Sequence, residues 1–65
     1  MRIMLMHPHW AEEARKCGAN LRRATDAEIA SADPALHDER RWIASVYGVD
    51  RAPEFYVLEA RHVVA

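Results

Sequence analysis

The chain has 65 residues, room for one domain over 1–65 and no linker, and at this length folding buries only about 60% of the unfolded surface, so the core is marginal. Its single cysteine, Cys17, excludes a disulfide within the chain and suits a reducing compartment. Nine Lys and Arg against ten Asp and Glu give a formal charge of −1, without the basic excess that duplex-binding domains use to neutralise phosphates.

Residues 1–6 read as a strand, with Ile3 and Leu5 on one face and Met4 and Met6 on the other, so both faces need cover. The uninterrupted apolar run stops at His7. It falls far short of the ~20 residues of a membrane span and of the ~7 of a signal-peptide core. The expectation is a cytoplasmic protein with no membrane segment.

Residues 9–24 read as an amphipathic helix whose stripe is Trp10, Ala14, Cys17, Leu21 and Ala24. Pro8 suits a first helical position, and Glu12 with Lys16 forms an i,i+4 pair. Gly18 costs about 1 kcal/mol inside a helix, so it marks either close backbone packing or a helix that ends at Cys17. Thr25-Asp26-Ala27-Glu28 is a capping box that opens a short helix to about Ala32.

Asp33-Pro34 repeats the start signal for a third helix running to Tyr47, and Gly48 stops it in a left-handed conformation. Leu36, Trp42, Ile43, Val46 and Tyr47 are its apolar positions, so its C-terminal half is expected to be the cored half. Residues 50–53 form a loop, and residues 54–64 read as a strand. Tyr56, Leu58 and Ala60 share one face of that strand, while the face of Phe55 and Val57 is expected to be half-buried at most. The order is β-α-α-α-β: a small single α+β domain with its N- and C-terminal strands paired and three short helices.

No catalytic or cofactor-binding constellation emerges, and the chain is not read as an enzyme. His7, His9, His37, His62 and Cys17 lack the close ligand pairs that a structural zinc site uses, and His7 and His9 fit a strand-to-helix turn where they cap the helix or bind water. Cys17, on the first helix's apolar stripe, reads as a small core residue rather than a nucleophile. Two glycines, Gly18 and Gly48, cannot build a phosphate-cradling loop.

Thr25-Asp26-Ala27-Glu28-Ile29-Ala30 resembles the first helix of helix-turn-helix domains, and Arg40 and Arg41 lie on the helix that follows. That resemblance implies a small DNA-binding repressor. The chain departs from the pattern where the glycine turn should be, at Ser31-Ala32-Asp33-Pro34, and Asp33, Asp38 and Glu39 would repel phosphates.

The stronger expectation is a small regulatory, adaptor or inhibitor protein acting by protein–protein contact. Two Trp, two Tyr, three Met and mostly arginine cations are residue types enriched at interfaces. Most of Trp10, Trp42 and Tyr47 should lie in the core, yet the strands and helices carry more apolar surface than one copy can hide. Met4, Met6, Arg40, Arg41, Trp42, Tyr47 and Phe55 are the expected partner-binding residues. A homodimer with the terminal strands at or near the interface is expected as well, because a two-stranded ribbon leaves the apolar first strand with a free edge.

Overall fold

The structure, a computed structural model, describes residues 2–59. Its elements are β1 (Arg2–Met6), α1 (Pro8–Lys16), β2 (Leu21–Arg23), α2 (Asp26–Ser31), α3 (Pro34–Tyr47) and β3 (Glu54–Leu58), with a single 3-10 turn over Val49–Arg51. The α+β class and the pairing of β1 with β3 agree with the sequence. Residues 60–64, the remainder of the expected last strand, lie outside the described residues.

The first helix is half the expected length, and its lost half supplies a third strand. Gly18 adopts φ +100°, which an L side chain resists and glycine accepts freely. Its amide donates to the Arg15 carbonyl and that of Ala19 to the Ala14 carbonyl, both at 3.0 Å. These two bonds are a Schellman closure, completed by apolar contact where Ala14 and Ala19 both pack against the core. Once the chain has turned there, Leu21–Arg23 is free to pair with Leu58–Tyr56. Cys17 caps the helix and is exposed, not buried. Lys16 pairs with Glu13 at 3.4 Å, where the sequence suggested Glu12.

The sheet is antiparallel throughout, in the order β1-β3-β2. Because β1 and β2 both oppose β3, they run parallel to each other, and β1-α1-β2 is a β-α-β unit split by the last strand. Met4 faces Tyr56 and Leu5 faces Phe55, so period-2 alternation sorts the side chains into two layers. On one face Met4, Met6, Tyr56, Leu58 and Leu21 pack with Ala11 and Ala14 of α1. On the other, Phe55 meets His37 of α3 at a ring separation of 5.1 Å, and α3 lies against β1. Phe55, Tyr56 and Val57 are all buried. The Phe55/Val57 face is therefore a second core, not the half-buried surface expected, because α2 and α3 cover it.

α3 docks by a different stripe from the one its large apolar residues suggest. Leu36, His37, Arg40, Ile43 and Ala44 are the partly buried positions, at steps of one, three and four, and they run the length of the helix. Trp42 and Tyr47 are each 61% exposed and Trp10 is 67% exposed, so none of the three is core. The positions that face the sheet are filled instead by Leu36, Ile43 and Ala44 and by the inner parts of His37 and Arg40.

Arg22 ties the connection between β2 and α2 to the end of β3. Its guanidinium meets both carboxylate oxygens of Glu28 at 2.7 and 2.8 Å and donates from Nε to Glu59 at 2.6 Å. Glu28 also accepts from the Thr25 amide at 2.9 Å while its own amide donates to Thr25 Oγ1 at 3.2 Å. The Arg22 hydrogen bonds, and after them the Thr25 amide, lower the Glu28 carboxyl from its ordinary 4.5 to about 2. The two acids in turn hold Arg22 above its ordinary range.

Two measurements check this account. A depressed carboxyl contributes stability that is complete above about pH 4.5 and is lost as the pH falls toward 2. Urea midpoints should decline across that window, and Glu28→Gln, which keeps the capping box but not the charge, should decline less. Gly48 combines φ +99° with ψ 156°, an extended glycine-only region rather than the left-handed helical one. A Cβ there would stand 2.9 Å from Asp50 Oδ1. Gly48→Ala should therefore cost about 1–3 kcal/mol in chemical denaturation.

Candidate protein-interaction surface

Three fixings set the rotation of α3 about its axis. Asp33 caps its start, Oδ1 accepting from the Ala35 amide at 2.9 Å, and Pro34 occupies the first turn. His37 Nε2 lies 2.8 Å from the Ile29 carbonyl, a distance at which it donates. Arg40 donates from Nε to the Pro53 carbonyl at 2.9 Å and pairs with Glu54 at 3.3 Å. Glu54 also lies 3.8 Å from Arg23, so this cluster links α3, β3 and β2.

With His37 and Arg40 turned inward, the opposite side of α3 is fixed outward. Trp42 and Val46, one turn apart, occupy that side, and Val46 and Val49 are 53% and 75% exposed. Tyr47 shares the azimuth of Arg40 seven residues earlier, but it is the last helical residue and stays exposed. The 3-10 turn continues the surface. Asp50 and Arg51 line an open cleft of about 540 Å³ with His7, His9 and the exposed Trp10. The same end of the molecule thus gathers aromatic and aliphatic side chains from α1, α3 and the turn before β3.

The expected partner-binding residues divide in four. Trp42 is on the outer side of α3, and Tyr47 is exposed at the helix end on the azimuth of Arg40. Arg41 is exposed and pairs with Asp38 at 2.6 Å. Met4 and Met6 are half-buried against the core cluster, while Arg40 and the buried Phe55 line a separate cleft of about 420 Å³ with Ile29, His37, Arg41 and Glu54. Phe55 can therefore reach a partner only from the floor of that cleft.

Sequence reasoning missed Val46, Val49 and Trp10 as surface residues. The available signal was the i,i+4 step from Trp42 to Val46, out of phase with the stripe from Leu36 through Arg40 to Ala44.

His7 Nδ1 accepts from the His9 amide at 3.1 Å, capping α1. Among the described residues no group of three or more His, Cys, Asp or Glu side chains is placed to hold a metal ion. No helix among them is long and apolar enough to cross a membrane.

Because Trp42 is exposed and has no role in the packed layers, Trp42→Ala should leave the unfolding free energy within about 0.5 kcal/mol of the parent. Paired denaturation curves check this. Comparison with protein-family models, with curated proteins and with solved structures finds no match to this chain.

Proposed function

We propose that the chain is a small cytoplasmic adaptor or inhibitor protein without catalytic activity, which works by binding another protein through the outer side of α3. The observation that carries this reading is the exposure of Trp42 and Val46 one turn apart on the outer side of α3, with Tyr47 and Val49 exposed where the helix ends. Large apolar side chains on a helix held in fixed rotation suit a partner groove read at successive helical turns. Trp and Tyr are the residue types that most often dominate binding energy. The ion pairs of Arg40 with Glu54 and of Arg41 with Asp38 leave this end of the molecule to apolar rather than phosphate recognition. Self-association belongs to the same proposal, as a homodimer that presents this surface twice.

A photoreactive residue in place of Val46 identifies the partner by crosslinking in the native cell. Binding of the purified pair is then measured by calorimetry. Trp42→Ala combined with Tyr47→Ala should weaken it at least tenfold, the scale of one lost hot-spot residue. Unchanged affinity in that folded double variant overturns the proposal. Submicromolar binding of the parent to duplex DNA at ~150 mM salt, falling steeply with added salt, also overturns it, in favour of a DNA-binding repressor.

A further inference from the structure

The two edges of the sheet differ sharply in how they are protected. The β2 edge is three residues long and carries Arg22 and Arg23. Pairing it with a copy of itself about a two-fold axis centred on Arg22 would set two arginines directly opposite, a destabilising arrangement. Charged, short edges of this kind resist strand addition. The β1 edge is five residues long, Arg2-Ile3-Met4-Leu5-Met6, with no proline and no charge after Arg2. Its outer side takes part in no strand pairing among the described residues. Ile3, Met4, Leu5 and Met6 are also only half-buried, on both faces of the sheet, although their neighbours Phe55, Tyr56 and Val57 on β3 are buried. Their missing cover lies on the flank away from β3.

We infer that this flank is covered by β1 of a second copy, the two strands running antiparallel about a two-fold axis through Met4. Of the two-fold registers available, this one pairs all five residues: Arg2 with Met6, Ile3 with Leu5, and Met4 with itself. It keeps the faces in phase, so the α1 layers of the two copies continue one another, as do the α3 layers. The result is a six-stranded sheet in the order β2-β3-β1-β1-β3-β2 with both outer edges formed by the arginine-bearing strand. Since Met6 pairs with Glu54, the register also brings Arg2 within one strand of Glu54 of the second copy, on the same face and with opposite charge. This interface goes beyond the α3 surface and does not depend on it.

The test uses the intact chain. Light scattering after size exclusion should give twice the 7.5 kDa chain mass, and Trp42→Ala with Tyr47→Ala should leave that mass unchanged. In amide hydrogen exchange the whole of β1 should be protected, whereas a free edge protects only alternate amides. In a Cys17→Ser background, Met4→Cys should form a disulfide between copies on mild oxidation, since directly opposed strand residues lie within bonding range. Arg22→Cys on the other edge should not. A mass of 7.5 kDa at millimolar concentration overturns the inference, as does a dimer whose alternate β1 amides exchange freely. A dimer that dissociates on Trp42→Ala with Tyr47→Ala moves the interface to α3 and overturns the β1 pairing while leaving the α3 reading intact.

Discussion

Insertion of β3 between β1 and β2 is the constraint on which the other layers depend. β3 hydrogen-bonds to both neighbours, and the ladder to β2 is extended at both ends by Ala24 N–H to the Phe55 carbonyl and Glu59 N–H to the Asn20 carbonyl. Three successive residues, Phe55, Tyr56 and Val57, are buried on alternating faces. A central strand of this kind gives both helical layers a surface to pack on. Without it β1 and β2 would not touch, because α1 connects them as parallel strands separated by the width of a missing one. Strand pairing between the first and last described elements also makes the fold non-local, and such contacts form late because loop closure must precede them.

The core that results is small in side-chain volume. Ala11, Ala32 and Ala52 are among its buried members, and among the described residues no charged one is fully buried. Polar tethers at the margin compensate for the thin apolar interior. Arg22 joins β2 to α2 and to the end of β3, and Arg40 joins α3 to the start of β3. Both are half-shielded and multiply bonded, so they act more as clamps on orientation than as sources of large free energy. Tyr56 is flanked by the guanidinium groups of Arg15 and Arg23, at 5.7 and 5.8 Å from its ring centre. Arginine serves here chiefly to hold elements together, and its abundance is a structural feature before it is a binding one.

Clamping α3 by His37 and Arg40 has a functional consequence. The helix gives two of its five inward positions to residues that make polar contacts with Ile29 and Pro53, and its two largest apolar side chains are left exposed. A surface built this way is rigid, and a partner that binds it pays little to order it. The open flank of β1 is of a different kind, made of backbone donors and acceptors rather than projecting side chains. The two surfaces are therefore suited to different occupants, and the fold can present both at once.

Much of the local structure was determined by the sequence alone, because its signals are short-range. The capping box at Thr25 and Glu28, the Asp33-Pro34 start and the Gly48 stop each act within four residues, and each element boundary they mark is where the structure has it. The short continuous apolar runs Ile3–Met6 and Phe55–Leu58 were enough to identify the paired strands. Tertiary structure alone decided the fate of Leu21-Arg22-Arg23. Those residues have good helix propensity and continue the α1 stripe, and they became a strand because Gly18 turned the chain beside an unpaired edge of β3. It also decided that Phe55 and Val57 are buried and that Trp10, Trp42 and Tyr47 are not. Periodicity identifies which residues share a face; which face is covered depends on the layers that arrive from elsewhere in the chain.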